Sequence, residues 1–203
     1  MKYAKILFYE IVNQRRIVAG VYDYLVKNNI PLDSSDLLRW QWVLVVSALD
    51  KYIHDLVLMG MSEEFLGKRT HTNKYNNFTM SMNTFFAIES SPVPVAEFEK
   101  EIIRRHSYQS FQDPDKIADA LSFIWDEQHK WSVISFNMKN VIKEEDLKIK
   151  LRNIVIRRNQ IVHEGDCLSA SIPLSRQIIT QSDTEDVISF IIDLVEAIDK
   201  SIV

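Results

Sequence analysis

Three polar residues near the end of a late predicted helix could together bind and react with a phosphate group. Arg158, Asn159 and His163 form the pattern R-N-x-x-x-H. Asn159 and His163 are four residues apart, so they are neighbours on a helix surface. An arginine guanidinium binds phosphate oxygens through a fork of donors, and a histidine can move protons near neutral pH. The pattern therefore predicts a small cationic pocket for phosphate chemistry.

The helix predicted at residues 144–163 has an apolar face and, roughly opposite, a stripe of mixed character. The apolar face consists of Leu147, Leu151, Ile154, Val155, Ile161 and Val162. The mixed stripe consists of Ile149, Arg152, Ile156, Asn159 and His163. A stripe of mixed apolar and polar residues outside the core is typical of a surface that contacts a partner. The pattern therefore suggests contact with a second copy of the chain across a two-fold axis.

Arg158 falls in the middle of the apolar face, although arginine is rarely buried unless it is paired. It could therefore serve the structure alone, paired with a core carboxylate or extended to solvent near the helix end. A cation at that end would also complement the helix dipole. Taken by themselves, the residues favour this structural interpretation and leave the phosphate pocket open.

Two segments resemble a known family. The R-N-x-x-x-H pattern, followed by a glycine, is similar to the R-x(4–6)-H motif of the HEPN superfamily, helical nucleases common in prokaryotic defence and toxin–antitoxin systems. Residues 40–57, with their Ser-Ala-Leu-Asp run, resemble the early core helix of the RiboL-PSP-HEPN branch. Arg157 also fits the motif with one more intervening residue. Arg158 is preferred because Asn159 follows it directly.

The resemblance implies an endoribonuclease that acts on RNA as a homodimer, with no metal and no cofactor. The RNA 2′-hydroxyl would attack the adjacent phosphate and leave a 2′,3′-cyclic phosphate. His163 would move the proton as general base or acid, and Arg158 would neutralise charge building on the phosphate oxygens. Asn159 would orient the histidine or donate to a phosphate oxygen. The five histidines show no metal-ligand spacing, and no acidic cluster suits Mg²⁺.

Two other functions stay open beside the nuclease. A HEPN-like protein could bind RNA or a nucleotide, or act as a dimeric interaction module, without cleavage. Alternatively the motif is a coincidence in a helical interaction protein, in which case Arg158 pairs with a buried acid. The presence of arginine, asparagine and histidine together favours the nuclease. It would act in a toxin–antitoxin or phage-defence pair, with an antitoxin protein as a further partner.

A polar strip on the second predicted helix offers accessory residues. Ser47, Asp50 and His54 lie on this strip, and Asp50 or His54 could assist the arginine–histidine pocket. The sequence argues against a catalytic triad, because no G-x-S-x-G elbow is present and three groups on one helix do not easily converge. The main alternative is a hydrogen-bonded polar strip between helices.

Two basic clusters are candidate contacts for the RNA backbone. They are Arg104-Arg105 and Lys68-Arg69, whose charges would add salt-dependent affinity. The alternative is ordinary surface. Three aromatic residues near these clusters could stack on bases, although packing is the favoured interpretation; they are Tyr75, Phe78 and Tyr108.

Low glycine and proline content favours a helical protein, because turn-rich β folds need more of both. The chain has 4 glycines and 5 prolines. Periodicity predicts helices at residues 3–28, 36–61, 79–89, 95–109, 114–126, 144–163 and 182–201. Residues 67–78 and 166–181 should be irregular, and residues 127–140 are ambiguous. We expect an all-α, HEPN-like bundle with a four-helix core plus extra helices, formed by residues 1–203 as one domain.

Capping residues mark the expected ends of three of these helices. Asp113-Pro114 should start one helix, with proline near its first position. Gly165 should close the helix that carries the R-N-x-x-x-H pattern. A capping box from Ser182 to Glu185 should open the last helix.

Composition narrows the function class and the compartment. The 203 residues carry a net charge of −4, which argues against a protein that coats nucleic acid without specificity and leaves a local basic site open. The apolar run at residues 42–49 is far shorter than the ~20 residues needed to span a bilayer, and no targeting segment is recognised. The single cysteine, Cys167, fits a free thiol in a reducing cytoplasm. We expect a cytoplasmic protein without a membrane partner.

Overall fold

The computed structural model describes residues 2–168 and 175–202, and these residues form helices and no β-strand. The helices are α1 (Lys2–Asn13), α2 (Arg15–Lys27), α3 (Ser35–Phe65), α4 (Asn73–Asn76), α5 (Met82–Ser90), α6 (Pro94–His106), α7 (Pro114–Leu121), α8 (Lys130–Asn137), α9 (Glu144–Glu164) and α10 (Gln181–Ser201). Between α9 and α10 an isolated β-bridge pairs Cys167 with Arg176. The expected all-α class is confirmed.

The long helix α3 forms the centre of the bundle. It contacts α1, α2, α6, α7, α9 and α10. Apolar residues on several sides of it are fully buried, among them Val46, Leu49 and Leu56, each 0% exposed. This burial matches a helix that is apolar nearly all round, since such a helix needs neighbours on every side.

Polar contacts fix the helices that surround α3. The Trp42 indole on α3 donates to the Ile154 carbonyl on α9 at 3.2 Å. Elsewhere in the bundle, the Lys5 ammonium on α1 lies 2.7 Å from the Asp199 carboxylate on α10. The first contact connects the central helix directly to α9.

The first expected helix, residues 3–28, is divided in the structure. The break lies at Gln14, whose amide donates to the Ile11 carbonyl three residues back at 3.1 Å. Before the break α1 buries one face, whereas after it α2 has no buried residue. The prediction of one continuous helix was wrong, because apolar periodicity does not register a single tightened turn.

Several other boundaries differ from the expected ones. The helix expected at 114–126 ends at Leu121, and the ambiguous residues 127–140 contain α8. The last helix starts earlier than predicted: its capping box pairs Thr180 with Asp183, not Ser182 with Glu185. Both pairs have the same spacing, so the sequence pattern alone did not distinguish them.

Candidate active site

Helix α9 carries the R-N-x-x-x-H residues in its last two turns. Leu147, Leu151 and Ile154 are buried against the core. Further along, Val162 on the same predicted face is 46% exposed, so the end of the helix leaves the core. Gly165 ends the helix in the left-handed conformation, with φ +61°, which favours glycine. The first part of α9 is therefore packed against the core, and the motif residues lie at the exposed end of the helix.

The three motif residues line one cleft of about 570 Å³ beside α9. The cleft is formed by α9 on one side and by the start of α7 with the loop before it on the other. Its lining residues are Ser110, Gln112, Asp113, Lys116, Arg152, Val155, Ile156, Arg158, Asn159 and His163. The structure thus brings the predicted trio together with a wall that the motif does not contain.

Arg158 is half-buried in this cleft and makes no ion pair within residues 2–168 and 175–202. One terminal nitrogen donates to the Asn159 amide oxygen at 3.1 Å. Its Nε is buried and has no hydrogen-bond partner among the residues described. A guanidinium with donors in reserve can accept an anion from solution, since all five of its N–H groups seek acceptors. The coincidental-motif alternative expects Arg158 to pair with a buried acid, and Arg158 forms no such ion pair among the residues described.

Arg157, the other candidate motif arginine, lies in a different environment. Its guanidinium donates to the Asp166 carboxylate at 2.9 Å, to the Ile178 carbonyl at 3.2 Å and to the Gln177 side chain. Arg39 on α3 donates to the same carboxylate at 2.7 Å. Asp166 is 0% exposed, so two arginines surround one buried charge. This network ties the segment after α9 to α3.

Asn159 and His163 are both exposed and stand one helical turn apart in the cleft. No hydrogen bond engages the His163 imidazole in the part of the chain that the structure describes. Its two ring nitrogens are therefore accessible from the cleft. The cleft therefore holds an imidazole, which can transfer protons, and a guanidinium, which can donate to phosphate oxygens.

The opposite wall comes from the loop before α7 and from its first turns. Asp113 caps α7 by accepting from the Asp115 amide at 2.8 Å. Arg152 on α9 pairs with Asp115 at 2.9 Å and lies 3.7 Å from Asp113. These ion pairs neutralise the charge of Arg152 and connect α9 to the start of α7. Lys116 remains exposed in the cleft with no ion pair among the described residues.

Sequence reasoning missed this wall. Ser110, Gln112 and Lys116 were not among the predicted site residues, and Arg152 was assigned only to a stripe. Gln112 is 6% exposed yet lines the cleft, so its amide is positioned by burial. The residues lie far from the motif in the sequence, and the one local signal was the predicted helix start at Asp113-Pro114, which the structure confirms.

The predicted accessory residues Asp50 and His54 do not line this cleft. The Asp50 carboxylate accepts the backbone N–H of Phe111. The His54 ring lies 4.4 Å from the Phe111 ring, and its Nε2 is 3.3 Å from the Gln109 carbonyl oxygen. Both side chains therefore brace the loop at residues 107–112, which forms part of the cleft wall.

The basic cluster on α6 is engaged within its own helix. Arg104 donates two hydrogen bonds to the buried Glu101 carboxylate at 2.7 and 2.8 Å. Arg105 donates to the same carboxylate at 2.8 Å. The hydrogen bonds from Arg104 and then Arg105 lower the pKa of Glu101 to about 2, although burial opposes them. Neither arginine lines the cleft, and a role in RNA binding stays a prediction.

The second basic cluster lies after α3. Arg69 donates to the carbonyl oxygens of Ile124 at 3.2 Å and Ile202 at 3.5 Å, so it joins distant parts of the chain. Lys68 is exposed. Neither residue lines the cleft, and their proposed RNA contacts also stay predictions.

The described residues contain neither a metal-binding cluster nor a membrane-spanning helix. Within 2–168 and 175–202, no group of three or more histidine, cysteine, aspartate or glutamate side chains could hold a metal ion. None of the helices described is both long enough and apolar enough to cross a membrane.

Comparison with known proteins agrees with the resemblance drawn from the motif. The model of the RiboL-PSP-HEPN family matches residues 9–203, which include the cleft and all of its lining residues. No curated protein and no solved structure matches the chain. Because the family match covers nearly the whole sequence and includes the motif helix, the chain belongs to the RiboL-PSP-HEPN family.

Proposed function

We propose that this protein is an endoribonuclease that cleaves RNA without a metal ion, through Arg158, Asn159 and His163. The observation that carries the proposal is one cleft lined by an accessible imidazole and by a half-buried guanidinium that has no ion pair among the residues described. Membership of a HEPN family supports a nuclease or RNA-related function. The environment of Arg157, bonded into the Asp166 network, supports Arg158 as the motif arginine.

The reaction is attack of the RNA 2′-oxygen on the neighbouring phosphorus. The 2′-oxygen loses its proton to a base as the new P–O bond forms. The bond to the 5′-oxygen breaks, and that oxygen takes a proton from an acid. The products are a 2′,3′-cyclic phosphate and a free 5′-hydroxyl, so atoms and charge balance without an oxidant or a second substrate.

Each motif residue has a role that its position supports. His163, exposed in the cleft, transfers a proton as base or acid. Arg158 donates to the phosphate oxygens from the guanidinium N–H groups that it does not give to Asn159, and negative charge grows on those oxygens in the transition state. Asn159, whose amide oxygen accepts from Arg158, holds the guanidinium and keeps its own N–H₂ for the phosphate or the imidazole.

The need for both a base and an acid supports a homodimer. In an in-line displacement the attacking and leaving oxygens lie on opposite sides of phosphorus, so one imidazole cannot reach both at once. Two copies of His163, one from each protomer, could meet across a shared cleft. The exposed apolar residues Ile149 and Ile156 on α9, 54% and 55% exposed, support a partner surface on that helix.

We extend the proposal to the cellular role. We propose that the protein acts in the cytoplasm, where an RNA substrate would be available. A nuclease with so open a site must be restrained in its host cell, which supports a toxin–antitoxin or phage-defence pair and an antitoxin protein that covers the cleft. This role rests on the family resemblance of the motif and on the exposure of Asn159 and His163.

The test is cleavage of a mixed RNA pool by the purified protein in excess EDTA. The wild type should produce cyclic-phosphate and 5′-hydroxyl ends. His163→Ala and Arg158→Ala should each lower the rate by about 10²–10⁴-fold, the usual effect of removing a proton-transfer or charge-stabilising group. Thermal unfolding should show that both variants keep the wild-type fold.

Two matched variants control for the loss of a histidine or an arginine elsewhere. His129 and Arg16 are exposed and lie outside the cleft, so His129→Ala and Arg16→Ala should cleave as fast as the wild type. Equal background cleavage by every variant would contradict the nuclease. If RNA binding were then still lost in Arg158→Ala, the protein would be a non-catalytic RNA-binding module.

A further inference from the structure

A second cleft lies beside the candidate active site and shares a side chain with it. This cleft, of about 380 Å³, is lined by Tyr108, Gln109, Phe111, Asp115, Lys116 and Asp119. Lys116 lines both clefts. A ligand that fills the first cleft and extends past Lys116 therefore enters the second.

Tyr108 presents an uncovered aromatic ring in the second cleft. It is 91% exposed, more than any other large hydrophobic residue in the described part of the chain. The other two aromatic candidates are packed: the Tyr75 and Phe78 rings lie 6.1 and 5.9 Å from the Phe98 ring. The packing interpretation therefore holds for those two residues, whereas the Tyr108 ring is open to a flat partner such as a nucleobase.

Two side chains of α3 hold the loop that carries Tyr108 in place. Asp50 accepts the Phe111 amide, and the Phe111 ring is 2% exposed. One helical turn further along α3, His54 Nε2 lies 3.3 Å from the Gln109 carbonyl oxygen. Because both anchors come from the central helix α3, Tyr108 projects from a braced loop, whose backbone loses little freedom when a ligand stacks on the ring.

The charges around the second cleft leave Lys116 as its free cation. Asp119 is paired with the Lys74 ammonium, and Asp115 lies 2.9 Å from the Arg152 guanidinium. Lys116 is exposed and has no ion pair within the described ranges. An exposed ammonium between two clefts is suited to bind a phosphate that joins their occupants.

We propose that Tyr108 and Lys116 form a subsite for an unpaired nucleotide next to the scissile phosphate of the RNA. Its base stacks on Tyr108, and Lys116 binds the phosphate between the two clefts. The substrate is therefore single-stranded RNA, because a base inside a duplex is already stacked on both faces. This inference rests on the proposed nuclease function and adds the substrate class and a second contact site for the bound strand.

The test measures binding of a short, mixed-sequence, single-stranded RNA whose 2′-hydroxyl groups are methylated, so that it cannot be cleaved. Tyr108→Ala should weaken binding about tenfold, and Tyr108→Phe should bind like the wild type because the ring face remains. Lys116→Ala should weaken binding and reduce the slope of log affinity against log salt by about one. The same RNA annealed to its complement should bind weakly, and Tyr108→Ala should not change that.

Tyr24→Ala and Lys139→Ala serve as controls, because both residues are exposed and lie outside the two clefts. The subsite would be overturned if Tyr108→Ala left binding unchanged or if Tyr108→Phe lost as much binding as Tyr108→Ala. It would also be overturned if the wild type preferred the duplex or did not bind the single strand. If the RNA bound through Tyr108 and Lys116 but was not cleaved in EDTA, the proposed nuclease function would be contradicted and the proposed subsite would be supported. If the protein cleaved RNA but neither variant changed RNA binding, only the proposed subsite would be contradicted.

Discussion

Arg157 and Arg158 are consecutive in the chain, yet their guanidinium groups lie in different surroundings. A rotation of about 100° per helical residue separates them. It directs Arg157 to the buried Asp166 carboxylate, 2.9 Å away, and Arg158 to the cleft. The sequence pattern admits either residue as the motif arginine, because both spacings occur within R-x(4–6)-H. Their different partners supply the physical distinction.

His106 is a buried histidine whose titration should affect stability. It is 4% exposed, and its ring lies 5.6 Å from the Phe111 ring and 5.4 Å from the Phe123 ring. Burial lowers its pKa from 6.5 to about 4, and the positive charges of His54, Lys74 and Arg105 add to the effect, opposed by Asp119. The folded protein therefore holds this imidazole neutral at pH values where an unfolded chain protonates it.

The consequence is a loss of stability as pH falls. The unfolded chain binds a proton near pH 6.5, and the folded protein does so only near pH 4, so the free energy of unfolding decreases between these values. Urea unfolding across this range should show a smaller decrease for His106→Leu than for the wild type, by up to about 3 kcal/mol. Parallel pH profiles for the two proteins would contradict the assignment.

At the scale of the elements, a close approach between α3 and the segment after α7 depends on Gly60. A Cβ added at this position would lie 2.4 Å from Ile124 Cγ2 and 2.9 Å from Ile124 Cβ. Ile124 is 2% exposed and β-branched, so its side chain has little freedom to move away. This contact brings the end of α3 against the chain that follows α7.

Gly60→Ala should therefore destabilise the protein. Overpacking a core costs about 1–3 kcal/mol, and the better helix propensity of alanine returns at most about 1 kcal/mol. We expect a net loss of about 1 kcal/mol in the free energy of unfolding, measured by urea denaturation. A variant at least as stable as the wild type would show that α3 and the segment near Ile124 separate at little cost.

Gly20 provides the matched control on α2. An added Cβ there has no atom within 4 Å, and the residue lies inside a helix. Gly20→Ala should stabilise the protein by about 0.5–1 kcal/mol, because it reduces the conformational entropy of the unfolded chain without a new clash. Opposite signs for the two glycine variants would identify packing, not helix propensity, as the cause at Gly60.

For the molecule as a whole, the proposed dimer predicts that activity and assembly are lost together. Ile149 is 54% exposed on the mixed stripe of α9 and does not line the active-site cleft. Ile149→Asp should convert the dimer to a monomer, since a buried, unpaired carboxylate at an apolar contact is costly. Analytical ultracentrifugation should show the change of mass, and ribonuclease activity should fall with it.

Ile17→Asp on α2 is the control for this prediction. Ile17 is 77% exposed and lies on a helix that has no buried residue. This variant should keep the mass and the activity of the wild type. A monomeric wild type with full activity, or a dimeric Ile149→Asp protein, would contradict a shared cleft across α9.

The sequence by itself determined the features that depend on neighbours along the chain. The 3.6-residue periodicity predicted the all-α class and the long helices α3, α9 and α10, because apolar spacing follows directly from helix geometry. The glycine at 165 predicted the end of α9, with its φ of +61°. The motif spacing and the Ser-Ala-Leu-Asp run identified the family, which the match over residues 9–203 confirms.

The tertiary structure decided the features that depend on residues far apart in the chain. Only packing places Gln112 and Lys116 opposite His163, and only packing directs Asp50 and His54 to the loop below Tyr108 and not into the cleft. Periodicity and local spacing describe one helix at a time. Which helices meet, and which side chains remain free between them, follows from burial and charge pairing across the whole bundle.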